Sequence, residues 1–214
     1  DGLFVWNEAQ KAEAVEMHGV PAERVVVTGA QCFDRWFGRQ PSQTRAEFCR
    51  RVGLPDDRPY VMWACSALLP GSPPEPEVVV PWLEQIRGSS NPVLRDVPIL
   101  IRPHPSRTAE WERVDWSRFG RIALFGDNPI EEGARSDYFD SLYYSAAVVG
   151  ITTSAFIEAA LVGRPVMTIY FDSVRQEHEG SLHFRHLLRV AGGVDRKSTR
   201  LNSSHTDISR MPSS

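Results

Sequence analysis

The sequence alternates between short apolar runs and segments with helical spacing of apolar side chains. Short runs rich in β-branched residues predict buried strands, and their alternation with helices is typical of a parallel α/β sheet. We therefore predict an open, doubly wound, Rossmann-like parallel sheet. The predicted strands cover residues 3–6, 24–28, 60–64, 97–101, 122–125, 146–151 and 166–170, and the predicted helices cover 7–18, 44–52, 77–87, 108–116, 136–145 and 155–162.

The most informative stretch, residues 146–170, predicts a strand, a hydroxyl-rich turn, a helix and a second strand. Thr152, Thr153 and Ser154 form the turn directly after the first strand. The turn would lie at the carboxyl edge of the sheet, where free backbone N–H groups and hydroxyls can bind a phosphate. The alternative is that these hydroxyls only cap the helix, as Ser and Thr commonly do.

Glu158 lies one turn into the predicted helix and is the only charged residue between Gly150 and Arg164. Its carboxylate could accept hydrogen bonds from both ribose hydroxyls of a nucleotide whose phosphates lie at the helix start. The alternative is a first-turn acid that only complements the helix dipole.

A second candidate site follows the predicted strand 97–101, where the sequence reads Arg102-Pro103-His104-Pro105. The two prolines fix the backbone on either side of His104 and hold its imidazole on a stiff turn. His104 could therefore pair with a diphosphate or give a proton to a leaving phosphate, and Arg102 could clamp a phosphate from the same turn. An ordinary loop remains the alternative.

The last twenty residues, 195–214, differ in composition from the rest and resemble the translation of a sequencing-library adapter. We expect this tail to be non-native and the chain to be a fragment. Because the tail has four basic and two acidic residues, its removal changes the formal net charge from −3 to −5. An acidic chain without a long basic run is not expected to bind nucleic acid.

Composition indicates a globular protein with enough apolar residues for a core, and no apolar stretch reaches the roughly 18 residues of a membrane span. The three cysteines, Cys32, Cys49 and Cys65, are too far apart for a C-x-x-C motif. We predict buried thiols in a reducing cytosol and hence a cytoplasmic location.

Three further histidines lie close together near the end of the chain, and two of them could share a helix face. We favour a surface or donor-side loop over a metal site here, and we predict no metal. These residues are His178, His183 and His186, and the nearby Asp172 is interpreted as a solvated loop acid.

The R-P-H-P turn followed by the sequence GITTSAFIEAALVGRPV resembles the C-terminal, donor-binding domain of the GT-B fold. Within that fold, the pattern is similar to CDP-glycerol glycerophosphotransferases, bacterial polysialyltransferases and non-hydrolysing UDP-N-acetylglucosamine 2-epimerases. The resemblance implies that His104 and the hydroxyl cluster hold the donor's phosphates and that Glu158 meets the ribose. The cluster lacks the Ser-Gly-Gly found at this helix start in many such enzymes.

The resemblance also implies a domain plan. Residues 1–23 would be a connector from a missing N-terminal domain, residues 24–194 the donor-binding domain, and residues 195–214 the adapter-derived tail. The acceptor, a glycan or polymer, would bind through the missing domain, which usually carries the catalytic base. No base can therefore be assigned here. Peripheral membrane association of the full-length protein is a further expectation.

We predict the donor-binding half of a transferase that moves a sugar or polyol phosphate from a nucleotide-activated donor to a glycan or cell-surface polymer. The donor is a substrate, and no cofactor is expected. One alternative is an enzyme similar to the UDP-sugar 2-epimerases. The other is a non-catalytic α/β domain that binds a nucleotide.

Overall fold

The computed structural model describes residues 1–68 and 71–170. The chain divides into two compact units, Asp1–Gln40 and Pro41–Ser214. The predictions for Asp172, the three late histidines and the tail lie outside the described residues.

The first unit contains two parallel strands, β1 (Leu3–Val5) and β2 (Val25–Val27), and the helix α1 (Glu8–Glu16) between them. The Asn7 side chain accepts a hydrogen bond from the Gln10 N–H and so caps α1. The predicted donor-binding domain begins at residue 24, and in the structure β2 pairs with β1 in the first unit. The domain plan of the full-length protein stays a prediction.

The second unit is built on a five-stranded parallel sheet, which confirms the predicted open α/β fold. The strand order is β5-β4-β3-β6-β7, so the chain first extends the sheet on one side of β3 and then returns to its other side. The strands are β3 (Val61–Ala64), β4 (Ile99–Arg102), β5 (Ile122–Leu124), β6 (Ala147–Gly150) and β7 (Val166–Thr168).

In the part of the chain that the structure describes, five α-helices accompany this sheet, and apolar residues pack on both of its faces. On one face, Val79 and Leu83 pack with Trp63, Ile99 and Val149 in one core cluster. Phe139 and Phe156 are buried on helices of the other face. The helices are α2 (Arg45–Val52), α3 (Pro76–Arg87), α4 (Pro92–Arg95), α5 (Glu132–Tyr143) and α6 (Ala155–Leu161).

Local sequence signals explain several helix ends. Thr44 and Glu47 form a capping box, in which each side chain accepts a hydrogen bond from the other residue's backbone N–H. Gly53 ends the same helix with a left-handed φ of 79°.

The helix predicted over residues 108–116 is wrong. In its place are two short 3-10 segments, Pro105–Glu110 and Trp116–Phe119. The first begins at a proline and is interrupted at Arg107, whose φ of −134° is not helical.

The prediction that all three cysteines are buried is also wrong at one position. Cys49 and Cys65 are buried free thiols, whereas Cys32 is exposed on the 3-10 segment Gln31–Trp36. Among the described residues, no helix combines the length and apolar character needed to cross a membrane. Within the same ranges, no group of His, Cys, Asp and Glu residues could hold a metal ion.

Candidate functional site

The predicted site residues lie at one edge of the parallel sheet, where β3, β4 and β6 end. Ala64 of β3 is in register with Arg102 of β4, and Trp63 is in register with Val149 of β6. β3 lies between the other two strands, at the point where the strand order reverses. In open α/β sheets, ligands bind in the crevice at this position.

His104 and Thr152 therefore follow strands whose carboxyl ends are level. His104 lies two residues beyond the end of β4, and Thr152 lies two residues beyond the end of β6. The parallel pairing of both strands with β3 brings the two predicted phosphate-binding segments to the same edge. Adjacent strands are about 4.8 Å apart, so two strand spacings separate these segments by about 10 Å.

Three buried polar atoms at this edge have no hydrogen-bond partner among the described residues. They are Ser66 Oγ, Arg102 Nη1 and Thr152 Oγ1. They belong to residues at or just past the ends of β3, β4 and β6 respectively. Because buried polar groups in folded proteins are nearly always paired, three such groups at one edge indicate a place for water or a ligand.

The hydroxyl turn before α6 only partly acts as a helix cap. The Ala155 N–H donates to Thr153 Oγ1 at 3.3 Å, whereas the exposed Ser154, at the N-cap position, accepts no capping hydrogen bond. Gly150 lets β6 pack closely against both β3 and α6, because a Cβ there would lie 2.6 Å from the Ala64 carbonyl oxygen and 3.3 Å from the Phe156 ring.

Arg102 lies beneath the loop that follows β5. Its Nη2 donates to the Asp127 carbonyl at 2.8 Å, and its guanidinium stacks on the Tyr138 ring, 4.7 Å from the centroid. The side chain is buried, and burial lowers its pKa. Gly126 is required for this arrangement, because its φ is 132° and a Cβ would lie 2.0 Å from Nη1. Nη1 has no hydrogen-bond partner among the described residues, so we expect the predicted phosphate contact to use this atom.

Glu158 is held by Tyr138, a residue that the sequence analysis did not identify. The Tyr138 hydroxyl donates a hydrogen bond to Glu158 Oε2. Burial, followed by the nearby Glu158 carboxylate, raises the pKa of Tyr138 well above its usual value. The Tyr138 ring also contacts Arg102, so one tyrosine of α5 connects two of the predicted site residues.

His104 is half-buried at the start of the 3-10 segment after β4. Its Nδ1 accepts a hydrogen bond from the Ser106 N–H at 3.3 Å and lies 2.8 Å from Ser106 Oγ. A neutral imidazole with this acceptor carries its proton on Nε2, which can then donate to a phosphate oxygen. Burial, followed by the nearby Arg107 charge, lowers the pKa of His104 below 6.5.

A buried carboxylate, Glu75, lies in the connection from β3 to α3. Its side chain accepts hydrogen bonds from Trp63 Nε1 at 2.9 Å and from the Ser66 N–H at 3.0 Å. Glu75 is only 1% exposed, and burial is the main reason that its pKa rises from 4.5 to about 7. The sequence analysis missed it, because a glutamate within a proline-rich loop carries no pattern that marks it.

A cleft of about 330 Å³ opens beside the ends of β4 and β5. Its walls are mainly apolar and aromatic, with a threonine hydroxyl and one carboxylate as polar groups. The lining residues are Pro103, Thr108, Trp111, Glu112, Val114, Trp116, Leu124, Phe125 and Gly126.

No protein-family model matches this chain, and no curated protein matches it in sequence. Solved structures do match its fold. A structure of the wall teichoic acid polymerase TagF, the H444N variant soaked with CDPG, is 19% identical with a TM-score of 0.51 and covers 80% of this chain and 38% of its own.

Two further structures contain bound nucleotides. MnaA from S. aureus in complex with UDP is 14% identical with a TM-score of 0.60 and covers 93% of this chain and 47% of its own. UDP-GlcNAc 2-epimerase from Methanocaldococcus jannaschii, in complex with UDP-GlcNAc and UDP, is 14% identical with a TM-score of 0.55 and covers 84% of this chain and 48% of its own.

These likenesses confirm the predicted GT-B type of Rossmann-like fold. The chain spans less than half the length of each of these structures.

Proposed function

We propose that the crevice at the ends of β3, β4 and β6 binds the nucleotide part of an activated donor. The observation that carries this proposal is that three buried polar atoms at that edge, Ser66 Oγ, Arg102 Nη1 and Thr152 Oγ1, have no hydrogen-bond partner within residues 1–68 and 71–170. All three are hydrogen-bond donors, and phosphate oxygens are strong acceptors.

The diphosphate would lie between the segment after β6 and the turn after β4. Thr152, Thr153 and Ser154 would donate hydroxyl hydrogen bonds from one side, and His104 would donate from Nε2 on the other. The separation of about 10 Å between the two segments is wide enough to admit a diphosphate. Neutral donors and the Arg102 charge would together stabilise the negative charge that develops on a leaving phosphate.

Glu158 would hold the ribose, and Tyr138 would keep its carboxylate in position. Oε2 accepts from the Tyr138 hydroxyl, and a carboxylate has further lone pairs with which to accept hydrogen bonds from ribose hydroxyls. The aromatic cleft next to Phe125 is large enough for a planar base.

The activity that we propose is transfer of a sugar or polyol phosphate to a glycan or cell-surface polymer. This is supported by the fold shared with the wall teichoic acid polymerase TagF and by the phosphate-stabilising donors at the crevice. Leaving-group stabilisation is the contribution expected of the chain described here. We assign no base and no acceptor site to it.

A second candidate, a UDP-sugar epimerase, is supported by the equally similar fold of the 2-epimerase bound to UDP-GlcNAc and UDP. Both candidates need a nucleotide at the same crevice. They differ in the nucleobase of the donor and in the group that is attached to its diphosphate. A domain that binds a nucleotide without turnover is the third alternative.

Calorimetric titration of the chain with CDP, UDP, CMP, CDP-glycerol and UDP-GlcNAc tests the proposal. We expect nucleoside diphosphates to bind more tightly than CMP, because the second phosphate would reach the opposite segment. Glu158→Ala should weaken binding by about 1–3 kcal/mol by removing hydrogen bonds to the ribose. Absence of binding by every nucleotide would refute the proposal, and a preference for CDP or UDP would select between the two enzymes.

A further inference from the structure

The loop that follows β3 is held at the crevice by Glu75. The Glu75 carboxylate lies between the indole N–H of Trp63, on the central strand, and the backbone N–H of Ser66, in the loop itself. The carboxylate is 1% exposed, so it cannot contact a ligand directly. It can act on a ligand only through the loop that it positions.

The same loop is connected to the turn that carries His104. The Cys65 N–H donates to the Arg102 carbonyl at 3.1 Å, and the Arg107 N–H donates to the His104 carbonyl at 2.9 Å. Arg107 Nη1 donates to the Ala67 carbonyl at 3.0 Å. These contacts join the two segments that follow β3 and β4.

Glu110 completes the connection between Glu75 and the turn that carries His104. Arg107 forms an ion pair with Glu110, with 2.5 Å between Nε and Oε1, and Glu110 Oε2 accepts a hydrogen bond from the Glu75 backbone N–H at 3.3 Å. Arg107, Glu110 and Cys65 are the titratable groups that face Glu75. A change at Glu75 can therefore reach the His104 turn through both the loop and Glu110.

We propose that Glu75 is a positioning residue, whose carboxylate fixes the loop after β3 and, through Arg107 and Glu110, the turn that presents His104 to the ligand. The proposal rests on the nucleotide site described above. An ionised carboxylate accepts both hydrogen bonds, whereas a protonated one loses acceptor capacity at one oxygen. The ionised form therefore holds the loop better.

This predicts a pH dependence near neutrality. The pKa of Glu75 is about 7, so the carboxyl is mostly protonated at pH 6 and mostly ionised at pH 8. Nucleotide affinity should rise as the pH increases through 7. Protonation of His104 has the opposite effect on nucleotide affinity at lower pH. Its pKa is lowered from the usual 6.5, and the protonated imidazole binds phosphate more favourably.

The test is calorimetric titration of CDP and UDP into the full chain from pH 5.5 to 8.5, with Glu75→Gln and the matched control Glu77→Gln. Glu77 is exposed two residues further on in the first turn of α3. Above pH 7.5, Glu75→Gln should bind about tenfold more weakly than wild type, because one hydrogen bond to the carboxylate is lost. The ratio of wild-type to Glu75→Gln affinity should rise through an inflection near pH 7, whereas the ratio of wild-type to Glu77→Gln affinity should stay constant over the same range.

Ionisation of the nucleotide phosphate contributes equally to all three proteins, so the comparison removes it. A ratio of wild-type to Glu75→Gln affinity that does not change between pH 6 and pH 8 overturns the inference and leaves the nucleotide site intact. Absence of binding by the wild type overturns both proposals.

A second measurement needs no variant. In the free wild-type chain, NMR titration should show the Ser66 amide and the His104 ring protons inflecting together near pH 7. A His104 ring that titrates in one step below pH 6.5 overturns the proposed connection, whether or not Glu75→Gln folds.

Discussion

Gly126→Ala is expected to destabilise the second unit by displacing Arg102. The new Cβ would lie 2.0 Å from Arg102 Nη1 and 2.5 Å from its Cζ, so the buried guanidinium must move. The φ of 132° is also one that side chains rarely adopt. Strain at such a φ costs about 1–3 kcal/mol, and the crowding of a packed interior adds about 1–3 kcal/mol. We expect the free energy of unfolding to fall by about 2–6 kcal/mol as the sum of these two effects.

A double-mutant cycle with Arg102→Ala separates the two contributions. With Arg102 truncated, Gly126→Ala should cost only the backbone strain, which gives a coupling free energy of about 1–3 kcal/mol. Urea unfolding followed by circular dichroism measures each free energy. Gly133→Ala is the matched control, because Gly133 lies in α5 with no atom within 4 Å of a new Cβ. This control should change stability by less than about 1 kcal/mol and in the stabilising direction.

Equal costs of Gly126→Ala in the two backgrounds would refute the reasoning. That result would mean that the guanidinium does not lie against Gly126.

Three further predictions address the site. Thr152→Val replaces a buried hydroxyl, which has no partner among the described residues, with a methyl group. The free energy of unfolding should rise by up to about 1 kcal/mol, and calorimetry should show about fivefold weaker binding of CDP or UDP. A fall in the free energy of unfolding together with weaker binding would contradict this. Tyr138→Phe should reduce the preference for CDP over 2′-deoxy-CDP about tenfold. The control Tyr143→Phe, on the same helix, should keep this preference. An unchanged preference in Tyr138→Phe would contradict the proposed positioning of Glu158 by Tyr138. Burial, followed by the nearby Arg107 charge, lowers the pKa of His104, so the unfolded chain binds this proton more readily than the folded chain. The free energy of unfolding should therefore fall as the pH drops from 6.5 through the pKa of the folded state. His104→Gln should lack this decrease, and an identical slope of unfolding free energy against pH in the variant and the wild type would rule it out.

The sequence predicted the sheet well because its signals are local. Each strand of the sheet is a short apolar run, and the capping box of Thr44 and Glu47 fixes a helix start within four residues. The 3-10 segment at Pro105–Glu110 was harder to predict. Its composition is compatible with a helix, and only the non-helical φ of Arg107 shows that the helix does not form.

The site was predictable only in part, because some of its contacts depend on tertiary packing rather than on local sequence. Parallel strands end at one edge, so the placement of His104 and Thr152 follows from chain order and fold type. The burial of Arg102 and the contact of Tyr138 with Glu158 depend on how helix α5 packs against the sheet. Such contacts join residues that are far apart in sequence. No pattern within a single segment encodes them.

The hydrogen bond from Trp63 to Glu75 also gives the molecule an intrinsic optical probe. The Trp63 indole is fully buried, and its ring centroid lies 4.7 Å from that of Trp82. Ionisation of the carboxylate places a negative charge at the indole nitrogen, and tryptophan emission is sensitive to such a charge. The ionisation of Glu75 can therefore be followed by tryptophan fluorescence in the unlabelled protein.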